Sequence, residues 1–269
     1  KLNKISFDET QLLASPVELN LYRAYIDNDS IAYREKWYKV GMEKLGQKCR
    51  SVNVTKSDKK VEITVDLAIS VHTFEPIFEG KVTYTFLPDT SVLINVSGKK
   101  AERMDVLPRI GLQFIMPEGF ESYEYFGYGP KESYIDKKSY AYVDGFKTTV
   151  TENFEHYVRP QENSSHYATK WTRVYNGEGV GLFCRGENIG DFSSNAQHFT
   201  PQMIREAKHD YELQPMKETV LSVDYKMAGT GSGACGPDLA EKYSVNDKTF
   251  DFTFKILPAK VDELDPFAV

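Results

Sequence analysis

The feature that most constrains this chain is a run of strict two-residue alternation. Val61, Ile63, Val65, Leu67, Ile69 and Val71 are apolar, and Glu62, Thr64, Asp66, Ala68 and Ser70 stand between them. A helix would scatter those apolar side chains around its axis. An extended strand puts them all on one face, which then needs a second layer to cover it. The pattern recurs: Val82, Tyr84 and Phe86 run up to Pro88-Asp89, and Val92, Ile94 and Val96 run up to Ser97-Gly98. Turn residues at both places predict an antiparallel meander. Leu221, Val223 and Tyr225 repeat the alternation, as do Phe250, Phe252, Phe254 and Ile256, with Asp251, Thr253 and Lys255 facing water. Ile110, Leu112 and Phe114, and residues 179–184, are further strand candidates.

Helical signals are sparse. Thr200-Pro201 supplies an N-cap followed by proline at the first helical position, with Met203, Ile204 and Ala207 then on one face. Residues 31–45 form a second candidate, with Trp37, Gly41 and Leu45 aligned and Asp29 or Ser30 as cap. No internal repeat and no βαβ rhythm divides the chain. The expected fold is therefore all-β: a large antiparallel sandwich with few short helices, one domain over 1–258, and a loose tail over 259–269 carrying Asp262, Glu263 and Asp265.

Charge and cysteine usage exclude several function classes. The net charge of −6 argues against nucleic acid as a partner, because phosphate recognition needs a basic face. No apolar run approaches the length of a transmembrane helix, so no membrane partner is expected. Cys49, Cys184 and Cys235 are far apart and form no CxxC pair. No structural zinc is expected, and a reducing, cytoplasmic setting is the simpler reading. Aromatic residues reach 13%, which sheet packing mostly explains.

Four loop segments are too polar or too glycine-rich to be plain turns. The first is Arg23-Ala24-Tyr25-Ile26-Asp27-Asn28-Asp29, whose acid-amide run can cap a helix or hydrogen-bond a polyol. The second is Gly127-Tyr128-Gly129-Pro130-Lys131-Glu132-Ser133-Tyr134-Ile135-Asp136, which lacks the Lys-Ser/Thr of a phosphate loop and reads as a sharp reversal. The third is Tyr157-Val158-Arg159-Pro160-Gln161-Glu162-Asn163. The fourth is Gly229-Thr230-Gly231-Ser232-Gly233-Ala234-Cys235-Gly236-Pro237, of the glycine-rich kind that often borders a site. No nucleophile signature accompanies the five histidines. His156 and His166, which flank the third loop, are the functional candidates among them, with a structural role the simpler one for both. No motif points to a catalytic pair of carboxylates.

Together the four loops resemble the small-chain domain of family 2 β-galactosidases, with its R-A-P-T-D-N-D, G-x-G-P-x-E-x-Y-x-D, Y-x-x-P-Q-E-N and late G-x-G-x-x-S-C/W-G-P signatures in that order. Tyr25-Ile26 replaces Pro-Thr, and Ala234 replaces Ser. The resemblance covers about residues 5–257. It implies a supersandwich of the galactose mutarotase type, the last domain of a glycosidase whose catalytic glutamates lie on a (β/α)8 barrel. This chain would then hold no catalytic residue, no metal and no cofactor. Its partners would be that barrel, in the same chain or in a separate large subunit, and a galactoside. The start at Lys1 without Met points to an excised domain. Family resemblance places the first and fourth loops over the barrel's mouth, so Arg23, Asp27, Asn28, Asp29 and Cys235 are the expected substrate-binding rim. Cys235 stands where some members carry Trp, and it cannot stack on a sugar. A stand-alone aldose mutarotase and a carbohydrate-binding module are the alternative readings.

Overall fold

The computed structural model describes residues 1–29, 31–71 and 75–268, without the side chains of residues 31–33. A short ribbon, β1 (Ser6–Phe7) with β2 (Thr10–Gln11), leads into β3 (Glu18–Asn20) and helix α1 (Ile31–Lys39). The alternating region then forms β4 (Gly46–Lys56), β5 (Val61–Ser70), β6 (Phe78–Phe86) and β7 (Val92–Lys100), a meander as expected. After these come β8 (Arg109–Met116), β9 (Ser122–Gly129), β10 (Tyr142–Thr149), helix α2 (Val150–Asn153), β11 (His166–Thr169), β12 (Trp171–Tyr175) and β13 (Val180–Gly186). The chain closes with β14 (Phe192–Gln197), helix α3 (Pro201–Glu206), β15 (Thr219–Met227) and β16 (Thr249–Lys260).

Besides that ribbon, two sheets form among the described residues, with antiparallel pairing throughout. One has nine strands in the order β10-β9-β12-β13-β16-β7-β6-β5-β4, and the other has five in the order β11-β14-β15-β8-β3. Their facing side chains make one core, in which Ile94, Phe114, Phe252, Phe254 and Ile256 have no exposed surface. Each such side chain contributes about 1.5–3 kcal/mol when fully buried. The nine-stranded sheet is the wider, and its outermost strand β4 lies open: Val52 and Val54 remain more than half exposed. The long alternation is therefore covered mainly at Val65, Leu67 and Ile69.

Two local expectations are corrected. Ser97-Gly98 is not a turn, because β7 runs straight through it with Gly98 opposite Gly80 on β6. A Cβ on Gly98 would lie 2.5 Å from the Glu79 carbonyl and 2.6 Å from the Phe78 ring, so glycine here serves close backbone approach. Helix α1 ends at Lys39 rather than at 45, because Gly41 adopts φ +68° and reverses the chain into β4. The start at Thr200 holds: its hydroxyl accepts the Met203 N–H at 3.2 Å, and Ile204 is buried. Ser30, one of the two expected caps of α1, lies outside the described residues. Past residue 258 the last strand continues to Lys260, and in the tail beyond it the Phe267 ring lies edge-on to Phe126 and Trp171.

Candidate functional site

Strand ends and crossovers bring all four signature loops into one hydrogen-bonded assembly. In the first loop Arg23 is buried and grips Asp29 with two parallel bonds, Nη2 to Oδ1 at 2.7 Å and Nη1 to Oδ2 at 3.0 Å. Asp29 also accepts the Ile26 N–H at 2.9 Å, which closes the loop on itself. The Arg23 guanidinium sits 5.7 Å from the centre of the Trp37 ring on α1. Burial alone would lower the Arg23 pKa, but the Asp29 charge and hydrogen bonds outweigh it and the pKa is raised.

A second buried pair lies in the same charge cluster. Arg109 on β8 holds Asp224 on β15 through Nε to Oδ1 at 3.0 Å and Nη2 to Oδ2 at 2.5 Å. Glu162 of the third loop approaches Arg109 at 3.5 Å, yet neither of its oxygens accepts a hydrogen bond among the described residues. Three carboxylates thus face two guanidiniums in one buried cluster. Burial raises the pKa of Glu162 against the opposing pull of Arg109 and Arg23, and burial likewise raises that of Asp224.

The second and third loops are joined at Glu132. Its carboxylate accepts the Ser164 N–H at 2.8 Å, the Tyr157 hydroxyl and the Lys137 ammonium. Burial followed by the Glu132 contact pushes the Tyr157 hydroxyl up to about 12. The second loop is joined to the fourth by Asp136, which accepts the Thr230 N–H at 2.8 Å and the Gly231 N–H at 2.7 Å. The first loop reaches both others: Asn28 Nδ2 donates to the Gly231 carbonyl at 3.0 Å, and the Asp27 N–H donates to Gln161 Oε1 at 3.1 Å. Asp27 also lies 3.9 Å from Arg159.

This geometry divides the five expected rim residues. Asp27 and Cys235 are exposed and Asn28 is half-buried, with Asn28 bonded to the loop that carries Cys235. Arg23 and Asp29 are 1% and 6% exposed, paired with each other inside the loop. An acid and a base six residues apart in a loop satisfy each other's charge more cheaply inside than either could alone. Arg159 joins the exposed set, and Gln161 is half-buried. Glu132, Asp136, Arg109 and Asp224 had no role assigned from sequence. Arg109 carries a signal, as the one charge in a largely apolar strand, whereas Asp224 shares its strand with Thr219, Ser222 and Lys226 and carries none.

The two histidine candidates separate. His166 is buried, stacks on Tyr125 at 3.8 Å between ring centres, and bonds Asn153 Oδ1 at 2.8 Å. Burial drives its pKa down to about 3, so it is a neutral core side chain. His156 is exposed and holds Asp210 at 2.9 Å, directly before Tyr157 of the third loop. Among the described residues no cluster of His, Cys, Asp or Glu is arranged to hold a metal ion. No helix of the described residues is long and apolar enough to cross a membrane.

Fold and site together define an all-β sandwich domain whose signature loops interlock at one edge. The family model described as beta galactosidase small chain matches residues 1–256. The chain belongs to that family. It is similar to the β-galactosidase of Actinobacillus pleuropneumoniae, 33% identical over 246 residues, covering 91% of this chain and 24% of that protein. The β-galactosidase of Staphylococcus xylosus is 30% identical over 240 residues, covering 88% of this chain and 23% of that protein. The chain thus spans about a quarter of the length of these relatives. Among solved structures, a putative aldose 1-epimerase from Escherichia coli K12 aligns over 94% of this chain and 90% of its own, with a TM-score of 0.43 and 10% identity.

Proposed function

We propose that this chain is the small-chain domain of a β-galactosidase, and that its interlocked loops complete the mouth of an active site carried on a (β/α)8 barrel outside this chain. The carrying observation is the bond network from Asp136 through Thr230 and Gly231 to Asn28, which holds the first and fourth loops side by side. The exposed Asp27 and Arg159 and the half-buried Asn28 and Gln161 offer hydrogen bonds of both polarities to sugar hydroxyls or to barrel loops. Arg23 and Asp29 brace the first loop from below. The catalytic carboxylates come from the barrel, and this chain supplies shape and hydrogen bonds.

Family membership and the quarter-length match to β-galactosidases support this reading. The test is hydrolysis of a chromogenic β-galactoside by the chain alone and after mixing with the separately expressed barrel-bearing remainder of the same enzyme. The chain alone is expected to be inactive and the mixture active. Turnover by the pure chain that an acid substitution within it abolishes would refute the proposal, as would a remainder fully active without the chain.

A further inference from the structure

At the opposite end of β9 and β15 from the glycine-rich loop lies a cavity of about 450 Å³. Glu121, one of its lining residues, precedes β9, and Lys217 precedes β15, whereas the glycine-rich loop follows β15. A space of this size falls within the range of small-molecule sites. We propose that it binds a neutral pyranoside.

The argument begins with charge. The lining contains three carboxylates, and each has its own basic partner: Glu118 with Lys217 at 3.3 Å, Glu121 with His198 at 2.7 Å, and Asp210 with His156 at 2.9 Å. Each ionisable side chain of the lining is thus already engaged with another, and none stands unpaired among the described residues to seat an ionic ligand. The rest of the lining is mostly apolar and includes Val150, Phe154, Phe199, Leu213 and Met216. The Phe154 and Phe199 rings lie 4.5 Å apart and belong to a small core cluster with Ala24 and Ile204, which fixes them in place. Rigid aromatic wall beside oriented polar groups suits a ring with one apolar face and hydroxyls on its edge.

The polar groups are oriented before any ligand arrives. His198 is committed at both nitrogens, Nδ1 to the Glu218 carbonyl at 2.8 Å and Nε2 to Glu121. His156 is held only through Nδ1, by both oxygens of Asp210, and its ring stands edge-on to Phe154 at 5.1 Å. Its Nε2 makes no hydrogen bond among the described residues, so it is the group available to a ligand hydroxyl.

The experiment is a titration of the 269-residue chain with methyl β-D-galactopyranoside, followed by amide chemical shifts, with benzoate and benzylammonium as charged controls. A saturable shift at Thr151, His156 and Met216 is expected, with a dissociation constant on the order of 1 mM, typical for one small ligand in an open site. His156→Ala should weaken binding about tenfold, the loss of one hydrogen bond. Met216→Trp should abolish binding by filling the space, and its unchanged shifts elsewhere would show that it folds. Three results overturn the proposal: no saturable shift at these residues, binding that survives Met216→Trp, or tighter binding of either charged control than of the glycoside.

Discussion

Asp136→Asn isolates the contact that ties the second loop to the fourth. The carboxylate accepts two backbone N–H groups, Thr230 at 2.8 Å and Gly231 at 2.7 Å, one on each oxygen. An amide of the same shape keeps one oxygen and turns an NH2 toward the other N–H. One charge-assisted bond is therefore lost, and two donors face each other. A hydrogen bond to a charged group is worth about 1.5–3 kcal/mol, and the loop is half-buried, so water recovers part of it. The local loss should be about 1.5 kcal/mol, which corresponds to amide exchange at Thr230 and Gly231 roughly tenfold faster. Because the loop lies outside the core, the cooperative melting transition should move by no more than a few degrees. Hydrogen exchange followed residue by residue reads both effects. Glu132→Gln is the control: it should speed exchange at Ser164, whose N–H it accepts at 2.8 Å, and leave Gly231 unchanged. Unchanged exchange at Thr230 and Gly231 in Asp136→Asn would mean that the carboxylate does not hold the fourth loop, and the account of the assembled rim would fail with it.

Three further outcomes follow from the same structure. Asp224→Asn leaves Arg109 buried without its bidentate partner and should destabilise the domain by about 3–5 kcal/mol, measured by chemical denaturation; a loss under 1 kcal/mol would contradict the pairing. His166 is held neutral with its pKa lowered to about 3, so the unfolded chain binds the extra proton below its ordinary value near 6.5. Its contribution is complete above pH 6.5 and is lost as pH falls toward 3, at about 1.4 kcal/mol per pH unit, so wild type should show a steeper acid loss of stability than His166→Gln, and parallel curves would refute this. In the intact enzyme, Cys235→Trp adds a ring at an exposed position and should change KM for aryl galactosides severalfold while the melting temperature stays within a degree or two; a large stability loss with unaltered KM would place this residue away from the mouth.

Period-two alternation was enough to determine an all-β sandwich, because six apolar residues on one strand face cannot be hidden without a second layer. The cap at Thr200 was equally legible, since a hydroxyl followed by proline acts within one turn. The four loops could be picked out by their composition, and their order carried the family. Their roles could not be read there. Whether Arg23 faces a sugar or an acid depends on what lies within about 3 Å of it, and Asp29 comes that near only through the loop's closure, while the docking of α1 sets the Trp37 ring 5.7 Å away. Gly98 reads as a turn in sequence because glycine serves both turns and close approach; only its partner across the sheet, Gly80, decides between them. Asp136 and Thr230, separated by 94 positions in the chain, meet because β9 and β15 deliver their following loops to the same edge. The sequence by itself thus determined local geometry and the need for layers, which arise from interactions a few residues apart. The tertiary structure alone decided which charges pair, which are buried and which remain at the rim, because pairing and desolvation depend on distances that only the completed packing sets.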